Sequence, residues 1–388
     1  MINKQNQVLI ITPDFPPFVG GISDYAFNLS EAFIDENIDV AVLTTKKNWD
    51  DKFKQIKQYE VAAKWSLFTI KDLLCKVNEY NPDIVLFQYE PYMCDKRFGM
   101  PIWTVIFLLF LRFRYKRIIT TFHEVSIRFE LLKPIYWIRF VTQRLIAYLL
   151  ALLSNFVVVT NNFYKSMLKS FKNKIVIISV GSNIIPYDVN EDILKRKKIE
   201  LVHPDEILAV VFSPRIKYIE LYCRLVKSCN ENNFKLKLLM IGSGVEANKG
   251  YIMDNLNKYE VENYVVCKGY LSQNEVFCYL KTADLFIFLE EADKHNKGGV
   301  SVKSSSLMSA FAAGIPIVAN WGDMTNDFLE DGKNILLVNL ANFHELQKAI
   351  YKLKNEEELR RSLINNVTFI FKQELAWDKI ASKYKNLF

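Results

Sequence analysis

The feature that most constrains the fold is an alternation of short, continuous apolar runs with helical patterns along nearly the whole chain. These runs are rich in β-branched and aromatic residues, and in the first half they read QVLIITP, DVAVLTT, DIVLFQY, RIITTF, NFVVVTN and KIVIISVG. Continuous rather than alternating hydrophobicity is typical of parallel strands that helices cover on both faces. The first half is therefore predicted to be a doubly wound α/β domain.

A polar, charged stretch after Ile185 interrupts the alternation, which then restarts with ILAVVFS, LKLLMIG, NYVVCKG, DLFIFLE, IPIVAN and NILLVN. The interruption predicts two Rossmann-like domains, at residues 1–188 and 189–370. The length of 388 residues agrees with this division, because single hydrophobic cores rarely grow beyond about 250–300 residues. Two such sheets side by side leave a cleft between the carboxyl ends of their strands, where ligands usually bind.

The charge of the chain favours a small anionic ligand or an anionic membrane surface over nucleic acid. The formal net charge is +7, and the basic residues are not gathered into the long runs of nucleic-acid-binding tails. The six cysteines are scattered without a CxxC pair, so the sequence predicts neither a metal site nor a disulfide framework. The N-terminal segment has no features of a secretion signal, and we expect a cytoplasmic protein with reduced thiols.

Paired glycines stand at predicted strand-to-helix loops. Gly20 and Gly21 follow the first strand, and apolar residues at helical spacing come directly after them. Free backbone N–H groups and the helix dipole at such a position favour an anion. A tight turn that needs glycine for its conformation is an equally good interpretation.

Cationic and polar side chains follow several of the predicted strands. Arg215 and Lys217 come after the first strand of the second domain, from which they could reach a diphosphate; solvated surface charges are the alternative. His123 ends a buried strand, where it could hydrogen-bond a sugar hydroxyl or stabilise developing charge, or be a structural histidine. Glu90 and Tyr92, with Gln88, end the preceding sheet strand and supply polar groups to the same cleft.

Several motifs, taken in order, resemble those of retaining GT-B glycosyltransferases of family 4 over nearly the whole chain. They are PPFVGGISDYAFNLSEAF, FQYEPYM, TTFHE, LLMIGSG, VVCKGYLSQNEVFCYLKTADLFIFL, LMSAFAAGIPIVAN, FLEDGKNILLV and LAWDKIASKYKNLF. The resemblance implies the GT-B fold: two Rossmann-like doubly wound domains that face each other across a cleft. It also implies that a C-terminal helix, at residues 371–388, returns to the first domain and is anchored by Trp377.

The resemblance further implies a metal-independent, hexosyltransferase-type enzyme without a cofactor, whose substrate is a UDP- or GDP-linked sugar. The acceptor would bind the N-terminal domain through Glu90 and Tyr92, and His123 would be the catalytic residue near the reacting sugar. The donor would lie mainly on the C-terminal domain. Its implied contacts are Gly20, Gly21, Arg215 and Lys217. The predicted donor-binding residues also include Gly299, Ser301, Lys303, Ser304 and Ser309, from the loop described next.

The stretch GGVSVKSSSLMSAFAAGIP, at residues 298–316, departs from the family. The family usually has two glutamates separated by seven residues, and here these positions are Ser301 and Ser309. The loop is interpreted as a phosphate cradle, in which Gly298 and Gly299 let the backbone approach a ligand and Lys303 adds charge. Ser304–Ser306 are predicted to cap a helix at Leu307–Ala313.

Two interpretations of this loop stay open. Serines could replace the lost charged acceptors only weakly, and Glu290 or Glu291, just upstream, could contribute instead. The alternative is a serine-rich helix cap on a protein with degenerate function.

Residues 102–153 suggest a membrane-facing surface. They carry Trp103, Tyr136 and Trp137 within apolar stretches, and eight basic residues against only Glu124 and Glu130. The basic residues are Arg112, Arg114, Lys116, Arg117, Arg128, Lys133, Arg139 and Arg144. Such a composition suits contact with anionic lipid, although core helices covering a sheet are also this apolar. The longest apolar run, Pro101–Leu111, is too short to cross a bilayer.

We therefore expect a retaining glycosyltransferase that moves a sugar from a nucleotide sugar to a glycan or lipid-linked saccharide acceptor in cell-surface polysaccharide synthesis. It would act in the cytoplasm, on the inner face of the membrane. The alternative, kept open by the missing glutamates, is a non-catalytic GT-B subunit that binds a nucleotide sugar or a partner enzyme. An epimerase or phosphorylase on the same fold agrees less well with the motif order.

Overall fold

The computed structural model describes residues 6–18, 20–46, 55–94, 98–129, 134–293, 295–325 and 328–388. Its contacts divide the chain into two compact units. The first unit comprises the residues up to Gly181 together with Trp377–Phe388, and the second is Ser182–Ala376. The sequence places domain boundaries at residues 188 and 370, whereas both of these positions lie inside the second unit.

The described part of the first unit is built on one parallel seven-stranded sheet, in the order β3-β2-β1-β4-β5-β6-β7. The strands are β1 Gln7–Ile11, β2 Asp39–Thr44, β3 Lys57–Glu60, β4 Ile84–Tyr89, β5 Arg117–Phe122, β6 Phe156–Val159 and β7 Ile175–Ile177. The helices are α1 Gly21–Asp35, α2 Ile70–Tyr80, α3 Trp103–Arg114, α4 Pro134–Leu153 and α5 Asn162–Met167. Every residue of the central strand β4 is buried, as expected for a sheet that helices cover on both faces.

The second unit is built on a parallel six-stranded sheet in its described residues, in the order β10-β9-β8-β11-β12-β13. The strands are β8 Ile207–Phe212, β9 Leu236–Ile241, β10 Val265–Lys268, β11 Leu285–Phe288, β12 Ile317–Asn320 and β13 Leu336–Val338. The helices are α6 Glu191–Leu201, α7 Ile219–Glu231, α8 Ser243–Ala247, α9 Lys249–Tyr259, α10 Gln273–Thr282, α11 Ser305–Ala313, α12 Phe343–Asn355 and α13 Glu357–Ile370. Both sheets confirm the predicted α/β class with two doubly wound halves.

The last helix, α14 Trp377–Lys385, belongs to the first unit and packs on α1. The Tyr384 hydroxyl lies 2.9 Å from the Tyr25 hydroxyl and 2.7 Å from Thr121 Oγ1, and all three side chains are buried. The Trp377 ring lies edge-on to Tyr25, with 5.2 Å between ring centroids. A Cβ added to Gly181 would lie 2.6 Å from Trp377. The predicted return of the C-terminal helix to the first half is confirmed.

Helix α4 corrects one expectation about membrane-spanning segments. Among the described residues, Ile135–Leu153 is long and apolar enough to cross a membrane by length and composition, with a mean hydropathy of 1.3. The search for uninterrupted apolar runs misses this segment because Arg139, Gln143 and Arg144 divide it. Only 28% of its apolar window is buried in the structure.

Candidate functional site

Arg215 and Glu290 form an ion pair at the carboxyl ends of two neighbouring strands in the second unit. Arg215 follows β8 and Glu290 follows β11, and these strands are adjacent and parallel. Arg215 Nη2 lies 2.7 Å from Glu290 Oε1 and 3.0 Å from Oε2, and Nε lies 3.1 Å from Oε1. The Arg215 side chain is 52% exposed whereas that of Glu290 is 14% exposed. Because these bonds engage Nε and Nη2, the Nη1 group remains available for an anionic ligand.

The backbone beyond β11 is held in place by two polar residues that sequence reasoning missed. The Tyr218 hydroxyl donates to the Glu290 carbonyl oxygen at 3.1 Å and accepts from the Ala292 amide at 3.2 Å. The buried Asn320 side chain accepts from the Glu290 amide at 2.8 Å and donates to its carbonyl oxygen at 3.0 Å. A polar residue at the end of the apolar run IPIVAN was the available signal for Asn320. These bonds fix the backbone from which the Glu290 side chain extends toward Arg215.

Lys217 lies on the same side of the second unit as this ion pair. Its Nζ donates to the Ala292 carbonyl oxygen at 3.1 Å and lies 5.3 Å from the centroid of the Tyr218 ring. Lys217 and Arg215 therefore contact the same segment, residues 290–292, from the loop after β8. The structure brings these two predicted cations together in one place.

Gly298 and Gly299 both have positive φ angles, of 120° and 82°. A Cβ on Gly298 would overlap the Glu291 carbonyl oxygen, and one on Gly299 would meet the backbone of Gly322. Their amides are already used: Gly298 N donates to Asp323 Oδ1 at 2.8 Å and Gly299 N donates to the Glu291 carbonyl oxygen at 2.9 Å. The close packing of the chain on itself is therefore enough to require both glycines, and the donor-binding role of Gly299 stays a prediction.

Helix α11 begins at Ser305, two residues before the predicted start, with Ser304 as its N-cap and Gly314 as its left-handed C-cap. Ser301 and Ser309, which stand where the family has glutamates, are both buried. Ser309 Oγ donates to the Ser305 carbonyl oxygen at 2.8 Å and accepts from Ser182 Oγ at 3.2 Å. The Ser309 hydroxyl is therefore already bonded within the second unit. Lys303 is partly buried in the loop before the helix.

In the first unit, burial lowers the pKa of His123 to about 4. Its Nε2 lies 2.8 Å from Gln88 Oε1, and its ring is edge-on to Tyr25 with 4.9 Å between centroids. An amide oxygen can only accept a hydrogen bond, so Nε2 carries the hydrogen and Nδ1 carries the lone pair. His123 is therefore a neutral hydrogen-bonding group near pH 7, which favours contact with a hydroxyl over stabilisation by positive charge.

Gln88 itself has an unsatisfied group beside this histidine. The residue is 1% exposed, and its Nε2 has no hydrogen-bond partner within the described part of the chain. Buried amide groups are almost always hydrogen-bonded, because an unmade bond costs about 1–3 kcal/mol. Gln88 is consequently a polar residue whose second bond a ligand or water could supply.

Gly20 and Gly21 differ from the glycines of the second unit. Neither has the left-handed conformation that favours glycine, since Gly20 is extended with a φ of 175° and Gly21 begins α1. No described atom lies within 4 Å of a Cβ built on Gly21. A Cβ on Gly20 would make only ordinary van der Waals contact with Phe18, at 3.4 Å. The turn itself does not require glycine, so the tight-turn interpretation loses its physical basis and room for a ligand at the α1 N-terminus gains support.

The predicted acceptor residues lie just beyond β4. Tyr92 packs against Gly99, where an added Cβ would overlap its ring. The Glu90 carbonyl oxygen accepts a hydrogen bond from the Met93 amide at 3.3 Å. The structure thus gives Tyr92 a packing role, and acceptor binding by both residues stays a prediction.

Comparison with known proteins agrees with this architecture. Residues 193–368, which lie within the second unit, match the family described as Glycosyl transferases group 1. The structure of Anabaena HepE in complex with UDP and glucose superposes on 98% of this chain and 99% of its own, with a TM-score of 0.70 and 14% identity. The chain has the GT-B fold. Its second unit carries a glycosyl transferases group 1 domain.

Two relatives are similar to this chain in sequence. An uncharacterised glycosyltransferase of Methanocaldococcus jannaschii is 23% identical over 415 residues, covering 98% of this chain and 97% of the relative. The alpha-monoglucosyldiacylglycerol synthase of Acholeplasma laidlawii is 23% identical over 221 residues, covering 54% of this chain and 52% of the relative. The first relative is named as a glycosyltransferase and the second as a synthase of a glucosyl lipid.

Proposed function

We propose that the protein is a retaining, metal-independent glycosyltransferase that moves a hexose from a nucleotide sugar to a glycan or lipid-linked saccharide acceptor in cell-surface polysaccharide synthesis. One observation carries the proposal: Arg215, Lys217 and Glu290 converge at the carboxyl ends of β8 and β11, within the segment that matches the family. This is where open α/β sheets bind ligands. HepE was solved with UDP and glucose, which favours a UDP-linked hexose over the GDP-linked alternative.

In this proposal Arg215 and Lys217 bind the donor diphosphate. The bond between the anomeric carbon and the phosphate oxygen breaks, and a bond to the acceptor hydroxyl oxygen forms on the same face of the sugar. The leaving diphosphate accepts the acceptor's proton. The two cations stabilise the charge that develops on the diphosphate, while Glu290 holds Arg215 in position. His123 Nδ1, as a neutral acceptor, binds a hydroxyl of the sugar.

Gly20 and Gly21 at the N-terminus of α1, and Ser304 at the N-terminus of α11, are each proposed to offer backbone N–H groups to the nucleotide sugar, as predicted from the sequence. Ser301 and Lys303 line the same loop, and Glu90 and Tyr92 bind the acceptor. All six cysteines are free, which suits a reducing compartment. We accordingly propose a cytoplasmic site of action at the inner face of the cell membrane.

The competing proposal is a non-catalytic subunit that binds a nucleotide sugar or a partner enzyme. A specific observation favours it: Ser309, at a position where the family has glutamate, is buried and bonded within the second unit. A group with its hydrogen bonds already made offers little to a substrate hydroxyl. The enzyme and a subunit that binds a nucleotide sugar agree on donor binding and differ only in turnover.

Purified protein incubated with UDP-glucose and other nucleotide sugars separates them. An enzyme releases UDP, and the Arg215→Ala/Lys217→Ala variant loses both binding and release. Lys333→Ala is the matched control, because Lys333 is also an ion-paired surface lysine of the second unit, 2.9 Å from Glu330. Donor binding without release in the presence of lipid and glycan acceptors would establish the subunit. Absence of donor binding would overturn the enzyme and the subunit that binds a nucleotide sugar, and would leave only a subunit that binds a partner enzyme.

A further inference from the structure

Helix α4 in the first unit presents an exposed apolar stripe along its length. Six apolar residues spaced three or four positions apart are each 46% to 61% exposed: Ile135, Ile138, Val141, Leu145, Tyr148 and Leu152. A surface helix of a globular protein normally turns such a stripe toward the core. Here the stripe has no cover within the described residues of the unit.

Helix α3 repeats this feature and packs beside α4. Its exposed apolar residues, between 36% and 83% exposed, are Ile106, Leu109, Phe110 and Phe113. Because the two helices are neighbours, their stripes form one surface, which we call the α3–α4 face. Soluble monomers rarely expose an apolar patch of this extent unless it binds a partner or a membrane.

The opposite side of α4 is firmly attached to the first unit. Gln143 is fully buried, donates to the Gly99 carbonyl oxygen at 2.8 Å and accepts from the Ile127 amide at 2.7 Å. Ile146, Ala147 and Leu150 are buried on the same side. If α4 crossed a bilayer, these hydrogen bonds would break and the buried residues of this side would lose their packing against the first unit. The helix can therefore lie in a membrane interface but cannot span the membrane while the unit stays folded.

Charge decides between a membrane and a second copy of the chain as the occupant. The C-terminal end of α3 and the residues after it carry Arg112, Arg114 and Lys116, all exposed, and α4 carries Arg139 and Arg144. Joining two copies through the α3–α4 face would bring these basic residues together. Anionic lipid headgroups would instead oppose them with charges of the other sign. The predicted Lys133 and Glu130 lie outside the described residues.

Aromatic residues of the kind found at lipid–water boundaries accompany the apolar stripe. Trp137 is 41% exposed and stacks on Phe129 with 5.8 Å between ring centroids. Tyr148 packs on Phe171 at 4.8 Å. Indole and phenol rings, with an apolar body and a polar end, favour the headgroup level of a bilayer.

We propose that the α3–α4 face binds the surface of an anionic lipid bilayer, with both helices lying in the plane of the interface. The inference stands apart from the proposed transfer reaction, because it rests on the exposed helices of the first unit alone. A protein that binds a membrane by this face could be an enzyme or a subunit. Its test therefore measures binding to lipid and uses no activity.

The test is sedimentation of the full-length protein with vesicles of phosphatidylcholine alone and of phosphatidylcholine mixed equally with phosphatidylglycerol. We expect binding to the mixed vesicles that weakens as salt rises. Val141→Asp/Leu145→Asp should lower binding at least about tenfold, since it places two charges in the apolar stripe. Arg112→Gln/Lys116→Gln should lower it by about tenfold for mixed vesicles only.

Ile199→Asp is the matched control, because Ile199 is an apolar residue of α6 that is 76% exposed on the other unit. It should bind vesicles as the wild type does. All variants change exposed side chains, and equal thermal unfolding curves will show that they fold. Failure of the wild type to sediment with mixed vesicles, or equal binding by Val141→Asp/Leu145→Asp, overturns the proposal. So does a wild-type dimer in analytical ultracentrifugation that the same double substitution dissociates.

Discussion

His123 is held in its neutral form by burial, and this sets how the first unit responds to acid. Burial lowers its pKa from 6.5 to about 4 in the folded chain. Between these two values the unfolded chain binds the proton and the folded chain does not, so stability is present above 6.5 and is lost as the pH falls toward 4. A shift of this size corresponds to about 3 kcal/mol of unfolding free energy.

Comparing His123→Asn with the wild type isolates this effect. The free energy of unfolding of the first unit is measured for both proteins by urea denaturation at neutral and at acidic pH. The wild type should lose about 3 kcal/mol more than the variant over this range. Carboxylate protonation contributes to both proteins and cancels in the difference. Parallel pH curves would show that His123 is solvated enough to protonate in the folded state.

Glu290 is expected to matter for function far more than for stability. The Arg215 side chain of this pair is 52% exposed, so Glu290→Ala should change the free energy of unfolding by less than about 1 kcal/mol. Without the carboxylate, Arg215 loses its fixed orientation, and kcat/KM for the nucleotide sugar should fall about tenfold or more. Steady-state kinetics with chemical denaturation of the same samples measures both quantities. An unchanged kcat/KM in Glu290→Ala would show that Glu290 has no role at the donor site.

Single-sequence reasoning finds these residues but not their pairings. Arg215 and His123 stand out because a polar residue after a continuous apolar run must lie at the carboxyl end of a buried strand. The Arg215–Glu290 pair joins residues 75 apart, and it forms only because β8 and β11 are neighbours in the sheet. Strand order is a tertiary property that local periodicity does not contain. The contact of Tyr218 with Glu290 was missed for the same reason, whereas Asn320 had a local signal as the polar residue that ends IPIVAN.

At the scale of loops and helix termini, the two adjacent glycine pairs should respond differently to alanine. Gly298→Ala introduces a Cβ onto the Glu291 carbonyl oxygen at a φ of 120°, and we expect a loss of about 2 kcal/mol or more. Gly21→Ala meets no described atom within 4 Å, and stability should change by less than about 1 kcal/mol.

Donor binding makes Gly21→Ala the informative variant. If ligand needs the space at the α1 N-terminus, its Kd for the nucleotide sugar should rise about tenfold while its melting temperature stays constant. Isothermal titration calorimetry and thermal unfolding measure the two properties on the same protein. If Gly21→Ala binds the nucleotide sugar with wild-type affinity, this glycine pair serves only the conformation of the loop.

The family glutamate cannot simply be restored within α11. Ser309 is fully buried and bonded to Ser305 and Ser182, so Ser309→Glu would bury a carboxylate among groups that already have partners. We expect a loss of about 3 kcal/mol or more, and no gain in turnover. Ser309→Ala, which removes only the hydroxyl, should cost about 1 kcal/mol. A stable and more active Ser309→Glu protein would show that the helix tolerates the glutamate of the family.

Elements with strong periodicity were predicted well, and the exceptions have a common cause. All six strands described in the second unit coincide with apolar runs, and five of them are mostly buried, whereas the edge strand β10 is only partly buried. In the first unit β3 was missed: it lies at the edge of the sheet, and its sequence KQYE is mostly polar. Helix α11 begins two residues earlier than predicted, since Ser305 and Ser306 are helical rather than capping. The edge strand β3 and the start of α11 carry polar residues, so neither shows the apolar pattern from which the other strands were predicted.

For the whole molecule, the main consequence of the chain path is that the first unit is completed by residues 377–388, which follow the second unit along the chain. Residues 377–388 include helix α14, which packs on α1 in a unit whose described strands all end before residue 182. The pairing of α14 with α1 therefore closes a loop that contains the entire second unit. The two-domain division was predictable from the polar stretch in the sequence, whereas this return was predictable only from the resemblance to a family.

Removal of α14 should consequently destabilise the first unit and spare the second. Tyr384 bonds both Tyr25 and Thr121 in a buried environment, and Arg117 donates to the Leu387 carbonyl oxygen at 2.9 Å. Tyr384→Phe leaves two buried hydroxyls short of a partner and should cost about 1–3 kcal/mol. Lys385→Ala, in the same helix, breaks only an exposed ion pair with Glu36, and should cost less than about 1 kcal/mol.

Differential scanning calorimetry should resolve two transitions, of which only one moves in Tyr384→Phe and in a chain ending at Ala376. If both transitions move together by the same amount, the two units unfold as one cooperative body and the C-terminal helix stabilises them jointly.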